Sequence, residues 1–404
     1  MLPASNPSTA ITVSAEAWQH SETVSQHLRR CIDNAGGWLS FEQFMHETLY
    51  APSLGYYAAG SAKLSPRSQH TSQQLTGDFV TAPELTPLFG HVLAQQFKQV
   101  FAHLDQPQIL EFGAGSGQLA FDILTALDAS GIATQYFILE VSADLRARQA
   151  HKLAPWLSRV VWLDALPTLF EGVVVANEVL DAMPVAMVGW SPDLDVIERG
   201  VTWHDGTFTW QERPARAALA QALSCRMPAL PGYVTEINLQ AESWVKNIGQ
   251  WLSNGVVFLI DYGFVEAEYY HPQRHTGTLM CHIQHRAHDN PFFAPGLQDI
   301  TAHIDFSAMA RSAKEAGLDV MGYTSQARFL LNAGLLEATQ ALQSSLHKPQ
   351  HQSIQAIQKL ISEAEMGELF KVLALGRGLP DLVLSGVKQG DRQAQLARSF
   401  QNQD

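Results

Sequence analysis

The run Glu111-Phe112-Gly113-Ala114-Gly115-Ser116-Gly117 joins a short apolar stretch to an amphipathic one, QLAFDILTALDA. Glycines between a strand end and a helix start let the backbone turn sharply and approach a ligand closely. A carboxylate at Glu111 can hold an ammonium group there, directly or through water. A second carboxylate, Glu140, closes the run YFILE, where it can accept hydrogen bonds from two ribose hydroxyls. Dinucleotide dehydrogenases use the same pairing of glycine loop and acid. The spacing separates the two cofactors. A GxGxxG reading from Gly113 needs a small residue at position 118, and Gln118 stands there. The observed GxGxG spacing is common in methyltransferases. Glu111, Gly113, Gly115, Gly117 and Glu140 are therefore the expected contacts of an S-adenosyl-L-methionine cofactor. Asp164 ends the next apolar run, VVWLD, where a side chain can meet an adenine amino group. A helix cap or an ordinary loop acid is an equal reading for Asp164.

The stretch VVVANEVLDAMPV carries the chemistry expected of the second reactant. Asn177, Glu178 and Asp181 follow a buried apolar run, at the edge of the sheet where open α/β folds bind ligands. Methyl transfer is an in-line displacement, so catalysis comes mainly from positioning and electrostatics. Carboxylates beside the methyl group suit a cationic acceptor. A guanidinium offers a planar fork of donors that a carboxylate grips bidentately. Asn177 and Asp181 as caps of the following turn are the competing reading. Asp261-Tyr262-Gly263 ends a further apolar run and is placed for the acceptor pocket, with Tyr262 equally a core residue.

These residues need a scaffold that brings strand ends together. From residue 108 the pattern alternates short β-branched runs with helical segments: QILEF, YFILEV, VVWLD, VVVAN and VVFLIDYG, then LDVMGYTS and LFKVLALGR. The runs up to VVFLIDYG read as buried parallel strands of an α/β sheet, and LDVMGYTS and LFKVLALGR as the last two strands. In the helix that follows the glycine loop, Leu119, Ile123 and Leu127 share one face and Gly131 marks the stop. The expected organisation is an N-terminal helical arm and active-site lid segment over 1–105, then a transferase domain over 106–378, then a C-terminal tail over 379–404, of which the polar run QGDRQAQLARSFQNQD is expected to fray. Insertions are expected at about 190–235, 264–305 and 327–366. Within the first, His204-Asp205-Gly206 between alternating segments signals a β-hairpin. In the arm, Phe41, Phe44, Met45 and Leu49 form one helical face, closed by Pro52 and Gly55, and a loop rich in Ser, Gln and Thr follows over 58–76.

The formal net charge is -13, which argues against partners such as nucleic acid or anionic membrane. No apolar run reaches the roughly 18 residues of a membrane span. Cys31, Cys225 and Cys281 lie far apart without a CxxC pair, so neither a disulfide framework nor a cysteine zinc site is expected, and a reducing cytoplasm fits. The stretch 282–305 holds His282, His285, His288, Asp289, His303 and Asp305. Its HxxHxxH spacing invites a metal reading, but Pro291 and Pro295 break any single face. A substrate-side loop without metal is favoured.

LEFGAGSGQLAFDIL, YFILEVSADLRARQ, VVANEVLDAMPV and FLIDYGF, with GDFVTAPELTPLFG ahead of them, resemble the MidA family. That family comprises bacterial proteins and a mitochondrial methyltransferase needed for respiratory complex I assembly. The likeness runs from about residue 38 to about 378. It implies a Rossmann-like class I methyltransferase fold, with a mostly parallel sheet of seven core strands. It also implies methylation of an arginine on a protein, with a respiratory-complex subunit as one candidate partner. By the same resemblance the segment Gly77 to Glu84, with Asp78, Thr81 and Glu84, closes the site on the substrate side. The N-terminus lacks the Arg-rich pattern of a presequence, which places the expected location in a bacterial cytoplasm. Two alternatives stay open beside an arginine methyltransferase. One is a methyltransferase for a small or different acceptor, the other an assembly factor that binds cofactor with little turnover. Sensitivity to Glu178 separates the first two, and turnover separates the third.

Overall fold

The computed structural model describes residues 11, 13–59, 81–345 and 351–397. The chain forms two compact units. Of the described residues, one contains 81–181, 241–269 and those from 304 onward; the other contains those up to 59 with 182–240 and 270–303.

The first unit is built on seven strands: β1 Gln108–Phe112, β2 Gln135–Leu139, β3 Val160–Leu163, β4 Phe170–Asn177, β5 Leu252–Phe264, β6 Asp319–Ser325 and β7 Phe370–Arg377. Their spatial order is β6-β7-β5-β4-β1-β2-β3, with the two-residue strand Ile304–Asp305 pairing beside β5. β1 to β5 pair in parallel, and β7 runs antiparallel to both β5 and β6. Residues Val173 to Ala176 of β4 and Val256 to Ile260 of β5 are buried, as the uninterrupted apolar runs require when helices cover both faces. The sheet is the mostly parallel one expected. The chain steps from β1 outward to β3, then returns to place β4 on the other side of β1. That reversal is the topological switch point of an open α/β sheet, where the strand ends open a crevice for a ligand.

Three helices hold this edge in place. Leu119, Ile123 and Leu127 of helix Gln118–Ala129 are buried in the core cluster. Helix Leu88–Phe101 packs Phe97 on Phe258 of β5 at 5.4 Å between ring centroids. Gly90 lets that helix approach its neighbour, because a Cβ there would lie 2.6 Å from Cβ of Asp122. Helix Ala143–Lys152 follows β2, capped by the Ser142 hydroxyl accepting from the Leu145 amide.

The units cut across the boundaries expected from sequence. Residues 81–105 join the sheet unit because Leu88, Phe89, Val92, Leu93 and Phe97 are core residues. The 327–366 stretch is more than a polar excursion. Its helices Gln326–Asn332 and Leu335–Ser345 set Phe329, Leu330 and Leu335 into the same core. The tail does not fray over its described part. Asp391 accepts from the Tyr323 amide at 3.0 Å, and Leu384, Val387 and Leu396 are buried.

In the second unit, helices Ala15–Asn34 and Phe41–Tyr50 bury Val24, Leu28, Phe41, Phe44, Met45 and Leu49. The antiparallel sheet runs Leu39–Ser40, Val196–His204, Ala186–Trp190, Val234–Ile237, with Thr207–Pro214 against Val196–His204. His204 pairs with Thr207 across Asp205 and Gly206, whose φ values are 47° and 81°. That is the two-residue hairpin the sequence signals. Most of the expected 58–76 loop lies outside the described residues.

Candidate functional site

The glycine loop leaves β1 through three left-handed residues, with φ of 61° at Gly113, 54° at Gly115 and 79° at Gly117. Only glycine adopts these angles without strain. Gly117 serves as N-cap of helix Gln118–Ala129 without a side chain. A Cβ on Gly115 would meet no protein atom within 4 Å, so its constraint is backbone conformation and not packing. Gln118 opens the helix and turns its amide to Asp122, while accepting from Lys152 at 2.7 Å. Glu84, from the short helix Ala82–Leu85, accepts a hydrogen bond from the Ser116 hydroxyl, which places it at this loop. Thr81 precedes that helix and makes no side-chain cap bond. Asp78 and Gly77 lie outside the described residues.

Glu111 sits at the carboxyl end of β1 and is 3% exposed. Its carboxylate accepts from the Tyr136 hydroxyl at 2.8 Å. Burial pushes this carboxyl up to about 8, against the Tyr136 hydrogen bond and with a smaller push from Glu140. Glu140 follows β2 and is also buried. Its oxygens accept from the Ser142 amide at 3.0 Å and from the Gln149 side chain at 3.1 Å. Burial raises its pKa, and these donors oppose the shift.

Next to Glu140 lies a cleft of about 330 Å³, lined by Leu139, Glu140, Val141, Ala143, Arg146, Leu163 and Asp164. Val141 is 79% exposed there. The Arg146 guanidinium donates to the Glu140 carbonyl, the Leu163 carbonyl and Asp164 at 2.7, 2.5 and 2.6 Å. One fork thus ties the ends of β2 and β3 together. Asp164 caps no helix: it is an exposed acid on the cleft rim, paired with Arg146.

At the ends of β4 and β5 the acidic elbow takes a different form. Glu178 has φ 53°, an uncommon angle for a residue with a side chain. Its amide still donates to the Ile260 carbonyl of β5 at 2.9 Å, so the turn begins while the ladder is intact. The amides of Leu180 and Asp181 are capped, but by Asp261 Oδ2 at 3.0 and 3.2 Å. Asp261 Oδ1 takes the Tyr262 amide at 2.9 Å. Capping of this turn therefore belongs to Asp261, a role the sequence offers to Asn177 and Asp181. Asn177 is not the cap: its Nδ2 donates to Glu178 at 3.1 Å, and its buried Oδ1 has no partner among the described residues. Burial raises the Asp261 carboxyl well above the carboxylate range, and Asp181 and Glu178 push the same way. Tyr262 is 8% exposed and packs its ring on Phe370 at 5.4 Å, the core alternative of the sequence reading.

The histidine run lies in the other unit. His282 and His288 stand on strands Met280–Ile283 and Arg286–His288, with Gln284 and His285 in the left-handed turn between them. Among the described residues the donors that do converge are His27, Cys31 and Glu47. There His27 Nε2 lies 2.6 Å from Glu47, and burial raises the Cys31 thiol pKa.

Tyr136, Arg146, Gln149 and Trp162 complete the edge of the sheet but carry no motif. The only signal in sequence is spacing. Ser142, Arg146 and Gln149 stand at i, i+4 and i+7 and so share one helical face, and Gln149 is the buried residue of its helix.

A family described as "Putative S-adenosyl-L-methionine-dependent methyltransferase" matches residues 90–324. A Burkholderia thailandensis protein, solved bound to S-adenosylhomocysteine, is 48% identical, with 95% of this chain and 99% of that chain covered at a TM-score of 0.88. The mitochondrial protein arginine methyltransferase NDUFAF7 of Mus musculus is 27% identical over 90% of this chain and 86% of its own length. That of Homo sapiens is 24% identical, over 93% and 87%.

Proposed function

We propose, from the premise that the chain belongs to this family of S-adenosyl-L-methionine-dependent methyltransferases, that its acceptor is an arginine side chain of a protein. The observation that carries the acceptor is the acidic elbow: Glu178 and Asp181 beside a buried Asp261, with the Asn177 oxygen unpartnered at the end of β4. A neutral acceptor would gain nothing from crowding carboxyl groups there, since each repels the next. A guanidinium offsets that repulsion and fills a carboxylate bidentately.

The cofactor-side residues fit S-adenosyl-L-methionine. Buried Glu111 suits the ammonium of the methionine part, whose charge would oppose the burial that raises its pKa. Glu140, facing the cleft, suits the ribose hydroxyls, and Val141 with the Arg146–Asp164 rim suits the adenine. The cofactor supplies a methyl group on a sulfonium. Glu178 and Asp181 orient the guanidinium so that one nitrogen faces that methyl. Asn177 Oδ1 takes an N–H of the same group. When bound, the cofactor would supply that methyl group to the facing nitrogen, its sulfur keeping the electron pair of the carbon–sulfur bond. The nitrogen then releases one proton, which Glu178 accepts.

The curated relatives are mitochondrial protein arginine methyltransferases at modest identity. Their names, with the family resemblance, support a protein acceptor, and a respiratory-complex subunit is the first to test. The test is methylation of host extract with isotopically labelled cofactor, followed by mass spectrometry of the labelled site. Label on arginine supports the reading. Label confined to another residue type or to a small molecule overturns it.

A further inference from the structure

Helix Ala143–Lys152 places one side chain wholly inside the protein, and that side chain is polar: Gln149, at 0% exposure. The orientation of its amide is fixed by its neighbours. Trp162 Nε1 can only donate and lies 2.8 Å from Gln149 Oε1. The amide nitrogen therefore faces the other way. There it donates to the Gly115 carbonyl at 2.9 Å and to Glu140 Oε2 at 3.1 Å. One amide thus joins β3, the end of β2 and the glycine loop after β1.

Each contact bears on ligand binding. A carboxylate offers about four lone-pair sites. With Ser142 on Oε1, Gln149 on Oε2 and the Val141 amide also donating to the carboxylate, Glu140 keeps about one site for a hydroxyl. Gly115 sits in the left-handed region with no protein atom near its Cβ position, so its carbonyl bond to Gln149 is a direct tether on that loop residue. A Cβ on Gly117 would lie 3.3 Å from Gln149 Cγ, so the aliphatic stem of Gln149 also lies close to the loop's third glycine.

We infer that Gln149 is a positioning residue that presets the cofactor site, holding the ribose-side carboxylate and the glycine loop in one geometry before ligand arrives. The inference rests on the reading of Glu140 as the ribose-binding acid. Gln149 acts through Glu140 and Gly115 and is not itself a catalytic residue. Preorganisation of this kind strengthens binding by lowering the ordering cost on association.

The test is the Kd of S-adenosylhomocysteine, measured by calorimetry on the full chain at about pH 6.5 and about pH 8.5, with thermal melts to verify folding. Gln149→Met keeps length and loses both donors. It is expected to weaken binding about tenfold at both pH values. Gln149→Glu sets a second carboxylate against Glu140. The charged groups facing that pair include Glu111 on β1, which adds repulsion only once ionised, above about 8, and Arg146 one turn earlier on the helix, which relieves it. A single shared proton restores one donor, so the deficit of Gln149→Glu relative to parent is expected to shrink at the lower pH. A loss caused by disturbed packing would show no such recovery. Trp162→Phe frees the amide to flip, costs a few-fold, and remains informative if the Gln149 variants fail to fold. At saturating cofactor the transfer rate is expected to stay near parental, with the loss in KM. Glu140→Ala is run alongside. If it loses affinity while Gln149→Met and Trp162→Phe bind as the parent does, Gln149 holds nothing that binding needs and the inference is overturned. If Glu140→Ala itself binds as the parent does, the ribose reading fails first and takes the inference with it.

Discussion

At the ends of β1 and β2, each buried acid is paired chiefly with neutral donors; at the ends of β4 and β5, three acids also crowd one another. Glu111 has Tyr136, and Glu140 has the Ser142 amide and Gln149. Glu178, Asp181 and Asp261 instead share one turn, and Asp261 is pushed strongly toward its protonated form. Strain divides the same way. The left-handed residues of the first region are glycines, whereas that of the second is Glu178. We propose the first region as the recognition side, with its carboxyl groups hydrogen-bonded and its left-handed angles on glycines. The second holds carboxyl repulsion that a bound cation can relieve, beside a strained backbone at Glu178; such features gather at reacting centres, and we propose it as the reaction side. The contrast can be broken by substitution on either side.

The largest effect is expected on the recognition side. Gly115→Val puts a β-branched residue at φ 54°, which costs roughly 1–2 kcal/mol of backbone strain. No protein atom lies within 4 Å of its Cβ, so the variant should fold, melting a few degrees lower. Binding of S-adenosylhomocysteine should fall by more than about a hundredfold, the loss expected when the loop can no longer approach the ligand. A folded variant with parental Kd would remove this loop from the cofactor site.

On the reaction side the pattern should reverse. Glu178→Gln is expected to leave S-adenosylhomocysteine affinity within about twofold and to slow single-turnover transfer to arginine on the order of a hundredfold, a size typical for loss of one aimed electrostatic partner. Glu178→Gly separates function from architecture. Removing the side chain relieves the left-handed strain, so stability should hold or rise by about 1 kcal/mol while transfer still falls. Parental transfer by Glu178→Gln, or a Kd loss equal to the rate loss, would erase the difference between the two regions.

Sequence disclosed these regions unevenly for a physical reason. The glycine loop and the runs of β1 to β7 were legible because period and burial are local: every expected strand stands within a few residues of its place. The cap at Asp261 was not, since its partners, Leu180 and Asp181, are some eighty positions away. Gln149 lay hidden for the same reason, in a helix with no apolar face to draw attention. The division into units was missed because it depends on pairings such as Leu39 with Val201, made by a strand of two residues. The hairpin at Asp205-Gly206 could be read because its turn chemistry sits wholly within four residues.

Glu140→Ala should weaken S-adenosylhomocysteine about ten- to hundredfold, the range for a hydrogen bond to a charged group. Transfer at saturating cofactor should persist. An unchanged Kd would mean that the carboxylate serves only Ser142, Gln149 and the Val141 amide.

The smallest effect is expected at Glu111, and it has two readouts of opposite sign. In the ligand-free chain its carboxyl keeps a proton up to about 8, whereas an unfolded glutamate loses it near 4.5. Between those values the unfolded chain binds fewer protons than the native one, so the stability that Glu111 contributes below about pH 4.5 is lost as pH rises toward 8. Glu111→Gln removes this dependence, and the variant should gain on the parent in thermal melts across that window. Binding runs the other way, because pairing with the ligand's ammonium needs the ionised carboxylate. The parental Kd for S-adenosylhomocysteine should therefore weaken a few-fold between about pH 8 and pH 7, short of the tenfold per unit that one fully linked proton allows. Burial raises the Glu140 carboxyl as well, and comparison with Glu111→Gln subtracts its share. A flat profile in the variant and a sloping one in the parent would place the ammonium at Glu111. Equal slopes would mean that Glu111 supports Tyr136 within the sheet and takes no part in holding the cofactor.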